Sequence, residues 1–270
     1  MLSPIGLVQR PRFSLTAVTC HNDHTRWSET ETPGGFRLVL VRRGRFRRRV
    51  AGVTVDLDPT VGYFAAPGEE EQFAHPAGGD VCTSIDLAPQ LWRQVAGETN
   101  RPVHPAVYVD ARLELAHRRL LATADRGDLD YALAEQLLGL VTITAGQVVK
   151  GRTPASGSHR DSTLVAAARD LITANHPAAE GLISLAELLG VSPYRLSRAC
   201  TRELGVSLTR YRNRVRVARA LDRIEAGEDS LSELAADLGF ADQAHLCRTV
   251  REHLGHTPTA VRRLLRPPAY

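Results

Sequence analysis

The C-terminal third of this chain repeats itself. At an offset of 49, Leu182, Ala186, Leu189 and Gly190 match Leu231, Ala235, Leu238 and Gly239. One inserted residue moves the offset to 50, where Leu196, Arg198, Leu204, Gly205, Ser207 and Arg212 match Leu246, Arg248, Leu254, Gly255, Thr257 and Arg262. Self-similarity at this spacing means one supersecondary unit used twice. Each copy reads as a helix with a small Ala at its middle, a tight turn at Gly, and a second helix. The Ala lets two helices cross closely, and the Gly permits a turn that a side chain would block. The pattern is that of a helix-turn-helix, in tandem.

Local signals in the last 107 residues agree. Ser192-Pro193 and Thr257-Pro258 each place a capping hydroxyl before a proline at the first helical position. Ser230 to Glu233 spells a capping box. Gly190, Gly205, Gly239 and Gly255 stand where helices should stop. Ser184 to Glu187 also spells a capping box, but the repeat puts it inside a helix. In the first recognition helix, Val191, Leu196, Ala199 and Cys200 form an inward stripe, which leaves Tyr194, Arg195, Ser197, Arg198 and Arg202 outside. In the second, Phe240, Leu246 and Val250 point in, leaving Gln243, Ala244, His245, Arg248 and Arg251 out. Arg can grip guanine O6/N7 in two places and Gln can do the same for adenine; the remaining polar groups hold phosphates. The alternative is a plain helical bundle with a charged surface, and two matching turns with Arg at the same place in both weigh against it.

The second copy carries the more specific motif: Ala235-Ala-Asp-Leu-Gly-Phe240-Ala-Asp242, then Leu246-Cys-Arg248 and Gly255-His-Thr-Pro258-Thr-Ala-Val-Arg262. Over about 170–265 the chain resembles the AraC/XylS family of transcription regulators. Where that family usually has aromatics, this chain has Cys200, His245, Leu246, Val250 and Val261. The resemblance implies a long helix from about Leu208 to Ala226 that joins the two motifs. That helix would set both recognition helices into successive major-groove turns of double-stranded DNA, roughly 34 Å apart. Arg210, Arg212, Arg214, Arg216 and Arg219 lie on it, some facing phosphates and others water, with Arg212 the chosen phosphate contact. Residues 191–219 hold eight arginines against one acid, Glu203. The total charge is less telling: +4, from 34 Lys+Arg against 30 Asp+Glu.

The first hundred residues read as β structure. Phe36–Val41 and Val61–Ala66 are short apolar runs, Phe46–Val55 alternates roughly in twos, and Val81–Leu87 adds a further strand. From Ala111 the spacing turns helical, with two helices split by 125–128; Leu133, Leu137, Leu138 and Val141 form a stripe that suits either core or a self-complementary dimer contact. Residues 151–162, polar and rich in Gly, Ser and Pro, read as a linker. The expected fold is α+β and multidomain. Residues 1–150 form a cupin-like β-barrel with dimerisation helices, by the family resemblance, and 163–270 an all-α DNA-binding domain with two helix-turn-helix motifs.

Within the N-terminal half, Cys20-His21-x-x-His24 followed by Glu29, and Gly62-x4-Pro67-Gly68-x6-His75, are both loosely cupin-like in spacing. His21, His24, Glu29, His75, Cys20 and Cys82 could supply metal ligands, but an HxxH on a strand puts its histidines on opposite faces. An organic effector in an apolar barrel is preferred; its candidate lining is His24, Trp27, Arg37, Tyr63 and His75, and neither a metal nor a cofactor is assigned. Arg42–Arg49 is the densest charge run. It reads as an anion or DNA/RNA polymerase contact or, preferably, as a hairpin around Gly44 with exposed arginines. No stretch of about 18 uncharged apolar residues suggests a membrane span, no h-region suggests secretion, and four scattered cysteines suit a reducing cytoplasm. The leading expectation is a cytoplasmic, dimeric, effector-responsive transcription regulator that works with RNA polymerase and is not an enzyme. Its competitors are a metal-dependent cupin enzyme fused to a DNA-binding domain and a constitutive regulator.

Overall fold

The computed structural model describes residues 2–21, 25–97, 102, 105–126, 131–150 and 159–265. The chain divides into two compact units, Met1–Gly151 and Arg152–Tyr270. Among the described residues, every strand lies in the first unit and the second is helical, so the fold is α+β.

The strands of the N-terminal unit form two antiparallel sheets. The larger runs in the order β1 (Leu2–Arg10), β2 (Phe13–Cys20), β8 (Asp80–Leu87), β3 (Phe36–Arg43), β6 (Val61–Ala65) and β9 (Ala106–Tyr108). The smaller runs β5 (Val53–Leu57), β4 (Phe46–Val50), β7 (Glu71–Ala74). Stacked antiparallel sheets are a cupin-type layout; among the described residues the strands form two sheets and do not join into one closed barrel. Strand β3 shows why its sequence is apolar throughout. Phe36, Leu38 and Leu40 turn to one face, into a core completed by α1 (Pro89–Ala96), α2 (Ala111–Arg126) and α3 (Ala132–Lys150). Val39 and Val41 turn to the other, toward Phe46, Leu57 and Tyr63. A strand alternates sides with period two, so one covered on both faces has no position left for polar residues.

Two expectations for the arginine-rich run are corrected. Gly44 is not a hairpin turn: β3 and β4 belong to different sheets, and the chain crosses between them there. Its φ is +77°, and a Cβ would fall 2.4 Å from Gly79 O, so the crossing requires glycine. The hairpin instead joins β4 to β5 around Ala51-Gly52, splitting what reads as one strand over Phe46–Val55. Arg42, Arg43, Arg45 and Arg47 are exposed as expected, but Arg48 is 3% exposed and turns inward.

Helix α3 is also clarified. By length and composition it could cross a membrane, but Leu133, Leu137, Leu140, Val141, Ala145 and Val148 are packed in the core of the unit. Three residues of the expected stripe are therefore core, whereas Leu138 faces outward together with Ile143.

The C-terminal unit contains α4 (His159–Thr173), a 3-10 turn (Pro177–Glu180), α5 (Leu182–Leu188), α6 (Pro193–Leu204), α7 (Leu208–Ala226), α8 (Leu231–Asp237), α9 (Gln243–Leu254) and α10 (Pro258–Leu265). Helix α4 begins inside the segment read as linker, and 151–158 lie outside the described residues. Ser184 sits within α5 and donates to Ala178 O and Gly181 O, as the repeat requires. Nineteen residues make α7 about 28 Å long. It packs against helices of both motifs through Tyr211, Val217, Leu221 and Ile224.

Candidate nucleic-acid interface and N-terminal cavity

Each helix-turn-helix is built the same way. Ala186 and Ala235 are fully buried at the helix crossings. Gly190 and Gly239 adopt φ of +65° and +69°, and the next residue folds back: Val191 N donates to Ala186 O and Phe240 N to Ala235 O. The recognition helix then starts on a side-chain cap. Ser192 accepts from Arg195 N at the head of α6, and Asp242 from His245 N, at 2.6 Å, at the head of α9. The caps and turns fix which face each recognition helix presents.

That face holds the residues expected from the sequence. On α6, Tyr194, Arg195, Arg198 and Arg202 are exposed and Ser197 is half-buried. Arg198 Nη1 donates to Tyr194 Oη at 2.8 Å and its guanidinium lies over the Tyr194 ring. Arg202 pairs with Asp161 of α4 at 2.8 Å, and Arg195 approaches the same carboxylate at 3.8 Å. On α9, Gln243, Arg248 and Arg251 are exposed. His245 is half-buried: its Nδ1 accepts from Ala241 N and its ring packs edge-on to Phe240. It shapes the turn as well as bordering the face.

The arginines of α7 divide differently from the expectation. Arg210 is exposed. Arg214 is 1% exposed and so faces neither phosphate nor water. Arg216 lies over the Phe240 ring. Arg219 donates to Thr173 O and Asn175 Oδ1, closing the end of α4. Arg212 is half-buried, and burial lowers its pKa against the pull of Glu180. Its repeat partner Arg262 donates to Glu228 O at 2.8 Å and reaches Asp229. The repeated arginine thus sits against the chain leading into each motif.

In the N-terminal unit a cavity of about 160 Å³ opens between the two sheets, with Arg37, Tyr63 and His75 in its lining. Trp27 does not line it; the Arg49 guanidinium stacks on that ring. His24 lies outside the described residues. Val39, Phe46 and Phe73 supply apolar wall; Cys20 and Cys82, candidate ligands from the sequence, lie here with Asp80 and Ser84, which the sequence did not single out. Arg37 is tied to Asp86 at 3.0 Å. Arg48 lies beneath this region, over the Tyr63 ring, and bonds to Glu71 at 2.5 Å and Glu69 at 2.8 Å. Burial pushes the Tyr63 phenol and the Cys82 thiol well above their ordinary pKa values, with Glu71 and Asp80 respectively adding to the rise. Within the lining, a small cluster joins His75 Nδ1 to Asp80 Oδ1 at 2.6 Å and Cys82 Sγ to Asp80 Oδ2 at 3.0 Å.

Residues 185–264 match the family model of a helix-turn-helix domain. Over 79 residues the chain is 29% identical to the HTH-type transcriptional activator RhaS of Escherichia fergusonii, covering 29% of this chain and 28% of RhaS. The chain thus spans little more than a quarter of that relative's length. Among solved structures, the C-terminal domain of AraT, a response regulator from Geobacillus stearothermophilus, is 30% identical, over 38% of this chain and 87% of that one, at a TM-score of 0.36. Fatty-acid-bound ToxT from Vibrio cholerae aligns along 97% of this chain and 98% of its own, at 10% identity and a TM-score of 0.39. Superpositions this loose add nothing to the sequence match. The C-terminal unit is a tandem helix-turn-helix domain. Over this stretch it is similar to the transcriptional activator RhaS.

Proposed function

We propose that this chain is a sequence-specific, double-stranded-DNA-binding transcription regulator of the cytoplasm, which acts with RNA polymerase and not as an enzyme. The observation that carries the reading is the doubled recognition face: Arg198 and Arg248 occupy equivalent exposed places on α6 and α9, each behind a capped glycine turn. RhaS, which the domain resembles, is named a transcriptional activator. Tyr194, Arg195, Ser197, Arg198 and Arg202 read or hold DNA on one motif, and Gln243, His245, Arg248 and Arg251 on the other, with Arg212 positioning. The effector is a small molecule taken between the sheets of the N-terminal unit, where Arg37, Tyr63 and His75 meet apolar wall. A cavity of about 160 Å³ has the capacity of one benzene-sized ring. The chain works as a homodimer, for which the outward Leu138 and Ile143 of α3 offer an apolar contact.

The test is capture of sheared genomic DNA by purified protein, followed by sequencing, beside an Arg198→Ala/Arg248→Ala double variant. Wild type is expected to enrich a few sites that the double variant loses, each single change costing about 1–3 kcal/mol at particular bases. Uniform, salt-sensitive enrichment by both proteins would mean that the domain only tethers, and the regulator reading would fall.

A further inference from the structure

We propose that Cys20, His75, Asp80 and Cys82 form a binding site for a borderline-soft divalent cation of the zinc type at the inner end of the N-terminal cavity. This goes beyond the regulator reading and stands apart from its DNA-binding part, because all four residues belong to the N-terminal unit; it shares His75 and the cavity with the proposed effector site.

The strand register brings them together. Across β2 and β8, Cys20 is paired with Asp80 and Val18 with Cys82. Residues two apart on a strand share a face, so Cys20, Asp80 and Cys82 all face the cavity. His75 comes from the turn after β7. Donor atoms of Cys20, His75 and Asp80 lie within 4.8 Å of one another, and Cys82 Sγ is 3.0 Å from Asp80 Oδ2. All four residues are buried. The approach is enforced by Gly79, where a Cβ would fall 2.2 Å from Cys20 O; no other residue lets the start of β8 press so closely on the end of β2.

The donor chemistry selects the ion. The thiolate of Cys20, the imidazole of His75 and the carboxylate of Asp80, joined by Cys82 when its thiol turns from Asp80 onto the ion, match the four-coordinate preference of zinc, with bonds of about 2.0–2.3 Å. Magnesium and calcium call for oxygen shells instead. Asp80 Oδ1 stands 2.6 Å from His75 Nδ1, close enough for both side chains to reach one ion. A buried cation is also tolerated electrostatically: nearby, Glu69 and Glu71 pair with Arg48 and Asp86 with Arg37, while Asp80 faces His75 rather than a guanidinium. A disulfide is the competing use of two thiols. Cys20 and Cys82 are diagonal neighbours, about 7–8 Å apart by strand geometry, beyond the usual span of a disulfide but suited to two ligands of one ion. Both are free cysteines.

The full-length protein, treated with chelator, would be titrated with Zn²⁺ and with Co²⁺ alone. One ion per chain is expected, and the Co²⁺ form should show thiolate charge-transfer bands in the near ultraviolet with tetrahedral d–d bands in the visible. Cys20→Ser and Cys82→Ser should lower affinity at least 10–100-fold and diminish the charge-transfer band. Cys247→Ser, in the C-terminal unit, should leave the spectrum unchanged. The wild-type titration decides the matter even where a variant fails to fold: without Co²⁺–thiolate absorption, the site does not exist. Bands that vanish in Cys247→Ser and persist in Cys82→Ser would overturn it equally. DNA binding, measured on the same preparations, reports on the regulator reading separately.

Discussion

His117 on α2 is a buried imidazole whose Nε2 has no hydrogen-bond partner among the described residues. Burial, then the charges of Arg42 and Arg118, lower its pKa from 6.5 to about 3. Between those two values the unfolded chain binds a proton there and the folded chain does not, so stability falls as pH drops through that window. From pH 7 to 5 the loss from this group alone is about 2 kcal/mol. His117→Leu should flatten that part of the pH dependence, read from urea midpoints at pH 7 and pH 5; an unchanged slope would place the acid sensitivity elsewhere. Single residues were also where the sequence was hardest to read. Arg48 lies in a run of arginines whose alternation tells only that neighbours point to opposite sides. Which side is inside depends on Glu69 and Glu71, more than twenty residues away in sequence.

Elements closed by local chemistry were legible in the chain. Ser192 and Ser230, read as caps from the sequence, each accept a backbone N–H three residues on, as do Ser207 and Asp242, which were not; Gly205 and Gly255 end their helices in left-handed conformations. Such signals lie within one turn of the helix they punctuate. Strands β1 and β2 were not legible, because β1 carries Pro4 and Gly6 and alternates poorly; it stands at a sheet edge, where a missing backbone donor is tolerated. The short β7 and β9 owe their strand character to partners that only the fold supplies. The same contrast separates the two sites: the recognition faces follow from spacing within one helix, whereas Cys20, Asp80 and Cys82 meet only through the register of β2 on β8, and His75 reaches them from the turn after β7. At this scale Asp242 gives a direct check. Its cap sits in water at the head of α9, so Asp242→Ala should cost the C-terminal unit about 1 kcal/mol, measured by denaturant unfolding. A loss near zero would mean that the turn, and not the cap, sets where α9 begins.

At the scale of the whole molecule, the proposed function requires two recognition helices to engage one duplex together. Helix α7 ties both motifs into one unit through its own buried side chains, so their separation is a property of packed structure and not of a linker. A rigid pair of readers demands a matching spacing on the DNA. Binding through both motifs in adjacent turns of the groove therefore carries a strict phase requirement. Inserting about half a helical turn, some five base pairs, between the two sub-sites rotates one of them to the opposite side of the duplex. Affinity should then fall to that of a single motif, and a further Arg248→Ala change should cost little on the shifted site. Inserting a whole turn keeps the phase but stretches the span beyond what α7, at about 28 Å, can bridge, so it should not restore binding. Fluorescence anisotropy with the three duplexes at fixed salt distinguishes the cases. Equal affinity for all three would show that one motif carries the recognition and that the second copy serves the fold.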